Sequence, residues 1–160
     1  EIRWVPAAEP DAWGLDDVEW YFRSHPTSSF QPLTQVASGG EKSRLMLAIK
    51  AVQAEHSLAS TIILDEIDTG VSGHVAECMA QLMETMSQHQ QVIAVTHLPQ
   101  VAGRADHHLR VSKQDRQSSV HTHVEQLAQA ERVTELAAML SGAQVTEAAT
   151  EHAKALIKSR

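Results

Sequence analysis

Two short apolar runs, TIILDE from Thr61 and QVIAVTH from Gln91, constrain the fold of this 160-residue chain more than any other feature. Each run is rich in β-branched residues and ends abruptly in polar side chains, as interior strands of a parallel sheet do. Residues 72–88 between them place apolar side chains at helical spacing. The pattern predicts a right-handed β-α-β unit whose strands are covered on both faces. For the apolar row of the intervening helix we expect core packing rather than a cofactor role: Val75, Met79, Leu82, Met83 and Met86.

Periodicity, glycines and prolines divide the rest of the chain into elements. Residues 17–24 alternate as a half-buried strand, with residues 1–5 as its partner, and residues 25–37 predict a loop. Residues 40–58 predict a helix that is apolar on most sides and therefore well buried. A short helix in LPQVAGRA, strands in HHLRVSK and SVHTHVEQL, and two amphipathic helices follow, the first stopped by Gly142.

Composition limits the classes of protein to which the chain can belong. No apolar run reaches the roughly 20 residues of a membrane span, so we expect no membrane association. With one cysteine, Cys78, and no basic-then-apolar leader, we expect a reducing cytoplasm; the start at Glu1 rather than methionine suggests an excerpt of a longer polypeptide. The net charge of −7 disfavours a main DNA-gripping surface, which would carry excess lysine and arginine.

The stretch VASGGEKSRL begins the predicted helix of residues 40–58 with an unusual sequence. Ser38 and Glu41 form a capping box, in which each side chain satisfies a backbone N–H of the first turn. That interpretation leaves Gly39 and Gly40 unexplained, since glycine at a helix start costs conformational entropy. Bare amides at the positive end of a helix suit a phosphate, although glycine-rich helix starts without a ligand are common.

Acidic residues and a histidine follow the two apolar runs. Asp65 and Glu66 end the first run, where adjacent carboxylates repel one another, and His97 ends the second. Parallel neighbouring strands would bring these side chains to one sheet edge, where a divalent metal and a water could bind. The alternative is a helix cap, for which Asp68 or Ser72 is better placed.

These motifs occur in the order of a known ATPase. SGGE with Arg44, then TIILDE, IDTG and VTH, resembles the second half of an ABC-type ATPase head: signature motif, Walker B, D-loop and H-loop. More closely, VASGGEKSRLMLAIK, LDEIDTGVSG, VTHLPQVAGRADHH and ERVTELAAMLSG resemble the C-terminal portion of the RecN family, SMC-like proteins of bacterial DNA double-strand break repair. The resemblance runs from about residue 14 to near the end. Lys42 stands where an aliphatic residue is commoner in the family.

The resemblance implies a site residue by residue. Ser38, Gly39, Gly40 and Glu41 would touch the γ-phosphate of ATP bound to a different head. In this role, the backbone N–H groups left free at the helix start would bind the phosphate.

The remaining motif residues would serve ATP bound to the chain's own head. The resemblance implies that Asp65 serves Mg²⁺ through water and that Glu66 is the catalytic carboxylate. Asp68 would belong to the loop that signals across the dimer, and His97 would be the phosphate-sensing switch.

The sequence lacks G-x-x-x-x-G-K-[ST], the phosphate-binding P-loop, and shows no sustained heptad repeat. In RecN-like proteins an N-terminal lobe beyond a coiled coil holds the P-loop. The resemblance therefore implies an α/β fold, part of a P-loop NTPase, with a central, largely parallel sheet flanked by helices. Residues 1–160 would form the C-terminal lobe of the head, with a strand region at 1–24, the motif core at 38–112 and a C-terminal strand and helices at 119–160.

The resemblance also implies partners. These would be the N-terminal Walker A lobe of the same protein, a second head in an ATP-dependent homodimer, and DNA bound through the full-length protein in repair and recombination. The location would be the cytoplasm, at the nucleoid. We expect little or no ATPase activity from this chain alone.

Other interpretations remain open. The chain could be part of another SMC or ABC-type ATPase, which TGVSG disfavours, or a non-catalytic module, which Glu66 and His97 disfavour. The pairs His107–His108 and His121–x–His123 could bind a transition metal, but without neighbouring cysteines we expect a solvated strand surface. We expect the three tryptophans to pack in the N-terminal sheet, with exposure of one at a lobe boundary as the alternative, and Cys78 to act as a small core residue: Trp4, Trp13 and Trp20.

Overall fold

The fold is described from a computed structural model. It describes residues 1–12, 14–23, 25–35, 39–56, 58–65, 67–116, 119–142 and 144–158, and for residues 114–116, 119–120 and 158 the backbone alone. The chain forms two units, Glu1–Met46 and Leu47–Arg160. Trp13, Ser38 and Glu66 lie outside the described residues.

The first unit is built on an antiparallel ribbon. Strand β1 (Ile2–Asp11) pairs with β2 (Gly14–Phe22), and β2 pairs with the short β3 (Gln31–Pro32), which leads into a 3₁₀ turn. The two predicted strands are therefore present, and residues 25–37 are only partly loop. The expected half-burial is wrong: Trp4 is 72% exposed, and Trp20 opposite Ile2 is also exposed. Alternation identified one apolar face of the ribbon, but the described residues of this unit do not cover it.

Helix α1 (Gly39–Ala54) confirms the predicted helix, which ends somewhat earlier than expected. Its expected deep burial is wrong. Leu47 and Ala54 are buried, whereas Met46 and Val52 are exposed, the latter by 79%. An apolar sequence indicates that a side chain favours burial, but the covering surface need not belong to the same chain.

The second unit contains the predicted β-α-β arrangement. Strand β4 (Thr61–Asp65) lies parallel to β5 (Gln91–Val95), and helix α2 (Gly73–Ser87) connects them. Methionines 79, 83 and 86 of α2 are buried against Leu64 and Leu98, and Leu82 is partly buried. The α/β class is therefore confirmed, with the parallel pairing in β4 and β5.

Two side chains of α2 differ from expectation. Val75 is exposed rather than part of the core, and so is Cys78, whose Sγ lies 3.6 Å from His74 Nε2. Val75 lies in the first turn of α2, on the same side of the helix as Met79 and Met86, and the described residues do not cover it there. The helical spacing was correct, and Cys78 lies beside the buried row rather than in it.

The β4–β5 sheet is covered on one face only, which corrects the expectation of two covered faces. Leu64 is buried and Ile62, Val92 and Ala94 pack against the core, whereas the alternate residues face outward. Ile63, directly opposite Ile93, is 68% exposed. The described part of the chain thus leaves an apolar sheet face open: Ile63, Ile93 and Val95.

The rest of the second unit consists of helices and an antiparallel strand pair. Helix α3 (Pro99–Arg104) is followed by the antiparallel strands β6 (Leu109–Arg116) and β7 (Ser119–Gln126), then by α4 (Gln129–Ser141) and α5 (Glu147–Lys158). All were predicted, and Gly142, with φ of 72°, ends α4 as expected. Among the described helices, none has the length and hydrophobicity that a membrane crossing needs.

The helices α3, α4 and α5 enclose a second small core, the helical core, which consists of Ala102, Leu136, Ala137, Ala149 and Ala153. Gly103 allows α5 to approach α3 closely, because a Cβ there would lie 3.0 Å from Leu156 Cβ of α5. The buried Arg132 of α4 donates to the backbone oxygen of Ala105 at 2.7 Å and, at 3.4 Å, to those of Gly103 and Asp106. One guanidinium thus satisfies the carbonyls where α3 ends.

Candidate site at the carboxyl edge of the parallel strands

The parallel register places two of the predicted site residues at the same edge. Asp65, the last residue of β4, lies opposite Val95, the last residue of β5. His97 follows two residues later. Because both strands run in the same direction, their carboxyl ends meet where ligands bind in open α/β sheets. Glu66, which directly follows Asp65, lies outside the described residues.

Asp68 links the segments that follow the two strands. Its side chain is buried, with 3% of the residue exposed. Oδ2 of Asp68 accepts hydrogen bonds from Thr96 Oγ1 at 2.5 Å and from the His97 backbone N–H at 3.0 Å. The Thr96 hydroxyl oxygen in turn accepts from the Leu98 N–H at 2.9 Å. The turn after β5 is therefore fixed to the turn after β4.

The same oxygen of Asp68 also contacts the ring of His97. The distance from Asp68 Oδ2 to His97 Nδ1 is 3.2 Å, while the His97 side chain is 70% exposed. Asp68 thus contacts one edge of the His97 ring, and most of the ring remains accessible to solvent. A histidine in this arrangement can hold one orientation while it contacts a ligand.

Asp65 has the chemistry expected of a magnesium ligand but not a complete site. It is exposed at the strand end, and no described residue forms an ion pair with it. The described residues contain no cluster of three or more metal-binding side chains. Magnesium commonly uses one or two carboxylates together with waters and nucleotide phosphates, so a single exposed carboxylate fits a metal that arrives with a nucleotide.

The start of α1 is the second predicted binding feature. Gly39 is the first helical residue, it is exposed, and a Cβ added there would meet nothing within 4 Å. Nothing packed around Gly39 in the described chain therefore requires glycine. Glu41 lies in the first turn and Lys42 is exposed. Ser38 lies outside the described residues, so the capping box stays a prediction.

Sequence reasoning missed the link between Asp68 and Thr96. It considered Asp68 as a helix cap or as part of a loop facing another subunit. Of the two cap candidates, Ser72 occupies the N-cap position of α2, without a side-chain cap bond. The parallel register was the available signal, since it brings the residues just after β4 close to those just after β5. The role of Asp68 across a dimer stays a prediction.

Neither histidine pair belongs to a group of three or more metal-binding side chains among the described residues. His107 Nδ1 lies 3.1 Å from Gln126 Nε2, and His123 Nε2 lies 3.9 Å from Glu125. His108 is half-buried, and burial, followed by the nearby Arg132 guanidinium, lowers its pKa below the ordinary value. The expectation of a strand surface fits His121 and His123, which are exposed, but not His108.

Comparison with known proteins gives one consistent result. The DNA repair protein RecN of Halalkalibacterium halodurans is 46% identical over 144 residues, which are 90% of this chain and 26% of that protein. RecN of Deinococcus radiodurans is 43% identical over 150 residues, 94% of this chain and 26% of the relative. RecN of Bacillus subtilis is 41% identical over 145 residues, 91% and 25% respectively. The resemblance to RecN is confirmed.

The RecN-like chain spans about a quarter of the length of these relatives. No family model matches it. For this chain, the activity and the partners of a complete RecN protein are therefore proposals.

Two solved structures share its fold. One, described as the Smc head domain with a coiled coil and joint from Pyrococcus yayanosii, matches with a TM-score of 0.64 and 24% identity over 84% of this chain and 25% of that one. The other comes from a study of ATP-driven dimerization and DNA-stimulated activation of SMC ATPases. It matches with a TM-score of 0.54 and 22% identity, and covers 74% of this chain and 71% of that chain. This chain therefore shares the fold of these two structures.

Proposed function

We propose that this chain is the C-terminal lobe of the head of a RecN-like ATPase that acts in DNA double-strand break repair and recombination. It supplies the signature motif, the Walker B acids and the H-loop histidine, and an N-terminal lobe supplies the P-loop. The similarity to RecN over nearly the whole chain supports the family.

One observation carries the proposal: Asp65 and His97 lie at the same end of the parallel β4–β5 pair, and Glu66 directly follows Asp65. A strand gains no stability from a carboxylate pair at its end, because like charges in proximity repel. The same arrangement offers a metal-bound nucleotide three groups: Asp65 as a metal ligand, Glu66 as a general base and the His97 imidazole as a polarising group.

Each residue has a distinct task in this proposal. Bound magnesium neutralises charge that develops on the phosphates. Asp65 holds the metal through water, and Glu66 accepts the proton of the attacking water. Gly39 and Gly40 leave backbone N–H groups accessible at a helix start, with Ser38 and Glu41 beside them, for the terminal phosphate of ATP held by a second head.

The open apolar face of β4 and β5 supports the proposal that another lobe covers this sheet. Ile63, Ile93 and Val95 form a continuous exposed stripe, whereas the strands of parallel sheets are normally covered on both faces. Since RecN relatives are about four times as long as this chain, they contain ample sequence to supply such a cover. The proposed partners are thus the P-loop lobe, a second head in an ATP-dependent homodimer and, through the whole protein, DNA. Cytoplasmic and nucleoid location follows from that role.

Restoring the missing lobe tests the proposal. The chain is purified alone and together with the P-loop lobe of the Halalkalibacterium halodurans relative, and magnesium-dependent ATP hydrolysis is measured for each. We expect hydrolysis only from the combination, and Glu66→Gln should lower the rate by roughly 10²–10⁴-fold, as loss of a general base does. Glu55→Gln, at an exposed carboxylate outside the motifs, is the matched control.

Two results would contradict the proposal. Robust hydrolysis by the 160-residue chain alone would show that no P-loop lobe is needed. A combination that binds ATP but hydrolyses no faster than the P-loop lobe alone would identify the chain as a non-catalytic module.

A further inference from the structure

Asp68 is a buried carboxylate whose contacts converge on one short turn. Carboxylates are seldom enclosed unless they are paired or hydrogen-bonded, because removing the charge from water is costly. The recorded bonds of the Asp68 side chain go to Thr96 and His97, 28 and 29 residues away in sequence. This side chain is therefore committed to the segment that contains the proposed switch histidine.

The contact with the ring determines which nitrogen of His97 carries hydrogen. A carboxylate oxygen accepts hydrogen bonds and cannot donate them, so across the 3.2 Å ion-pair contact a hydrogen on Nδ1 is favoured over a lone pair facing the carboxylate. In the neutral ring the other nitrogen, Nε2, then carries a lone pair and accepts. The backbone bond from His97 N–H to the same oxygen, at 3.0 Å, limits rotation of the residue away from Asp68.

The hydrogen-bond character of Nε2 distinguishes between two ligands. Phosphate oxygens are acceptors, so they cannot bond to an accepting nitrogen, whereas a water molecule can donate to it. We propose that Asp68 is a positioning residue that holds His97 as the Nδ1–H tautomer, so that Nε2 accepts a hydrogen bond from the attacking water. This assignment rests on the proposed ATPase function and gives Asp68 a role within its own chain.

The first test measures the tautomer directly. The ¹⁵N shifts of the histidine rings are recorded by NMR on the purified 160-residue chain near pH 8. His97→Gln assigns the signal by its loss. We expect Nδ1–H in the wild type, a shift toward Nε2–H in Asp68→Asn, and no change in the control Glu55→Gln.

A wild-type His97 that carries its hydrogen on Nε2 overturns the proposal, whatever the variants do. An unchanged tautomer in a folded Asp68→Asn chain also overturns it, because Asp68 would then not set the ring. The wild-type measurement remains decisive even if the variant fails to fold.

The second test asks whether Asp68 acts through His97. In the chain combined with the P-loop lobe, Asp68→Asn should lower ATP hydrolysis by about 10–100-fold, the usual effect of removing a group that orients an active-site histidine. The double variant with His97→Ala should be no slower than His97→Ala alone. Losses that multiply would show an independent structural role and overturn the assignment.

The two tests separate failure of this inference from failure of the proposed function. If the combined wild-type lobes hydrolyse no ATP, the proposed function and the role of the water both fall. The NMR result still decides whether Asp68 sets the tautomer of His97.

Discussion

The helical layer of α3, α4 and α5 is closed within this chain, whereas the sheet of β4 and β5 is closed on one face only. Leu136 in the helical core is 0% exposed, and Arg132 satisfies the carbonyls at the end of α3. Ile63 on the open sheet face is as apolar as Leu136 but largely exposed. The comparison indicates that the helical layer is complete, whereas the described residues leave one face of the β4–β5 sheet uncovered.

Leu136→Ala should produce the largest change in stability. Deletion of a fully buried leucine side chain removes packing and leaves a cavity, at a cost of about 2–5 kcal/mol. Urea denaturation followed by circular dichroism measures the free energy of unfolding. The same change at the fully exposed Leu58 should stay within about 0.5 kcal/mol. Equal losses at both positions would show that the helical layer is not closed.

Arg132→Met should cost about 1.5–3 kcal/mol, because hydrogen bonds to a charged group are lost while the side-chain length is kept. Arg110→Met is the control, since Arg110 is partly exposed and pairs with Glu125 and Glu135 near the surface. Solvent-exposed ion pairs contribute little to stability, because water screens them. A smaller loss at Arg132 than at Arg110, in the same denaturation assay, would contradict the role assigned to the buried guanidinium.

Gly103→Ala should destabilise by about 1–3 kcal/mol, because the added Cβ would lie 3.0 Å from Leu156 Cβ and α5 would have to move. Gly39→Ala, where a Cβ has open space, should be neutral or slightly stabilising. Thermal unfolding compares the two variants. In a Leu156→Gly background, which removes that Cβ, Gly103→Ala should cost less; an unchanged cost would locate the strain elsewhere.

Ile63→Thr should leave the stability of the isolated chain within about 0.5 kcal/mol. It should weaken binding of the P-loop lobe by about tenfold, or ~1.4 kcal/mol, if that lobe covers the open face. Titration calorimetry measures the affinity. Val124→Thr, at an exposed β-branched residue of β7, should leave the affinity unchanged. A large loss of stability in Ile63→Thr would mean that the face is already covered.

The smallest expected effect concerns pH. Since burial lowers the pKa of His108, the unfolded chain binds a proton at this residue before the folded chain does. The contribution of His108 to stability is therefore constant above its ordinary pKa of about 6.5 and falls as pH decreases below that value. Denaturation at pH 8 and pH 5 should show a smaller difference for His108→Gln than for the wild type. An equal difference would contradict the shift.

The sequence predicted the elements well because their patterns are local. The β-branched runs of β4 and β5, the methionine row of α2 and the stop at Gly142 each reflect backbone preference or spacing within a few residues. Burial was predicted less well. Val52, Ile63, Trp4 and Cys78 are exposed because an apolar pattern does not specify which polypeptide will cover it.

The position of the candidate site could be predicted from the sequence, but the hydrogen bonds within it could not. The register of Asp65 against Val95 follows from a parallel strand pair, so the shared edge was foreseeable. The bond from Thr96 to Asp68 depends on how two turns pack after the strands end. Such contacts between turns distant in sequence have no local pattern, which is why Asp68 was considered for other roles.

The open face of β4 and β5 also affects how this polypeptide behaves in a test tube. Short, uncharged, β-branched segments with unsatisfied neighbours are the sequences that assemble into intermolecular sheets. Concentrated preparations of the chain should therefore lose material to aggregation over time, and co-production with the covering lobe should preserve it. The apolar surface that is proposed to bind the P-loop lobe would therefore, when uncovered, limit how long the purified chain stays in solution.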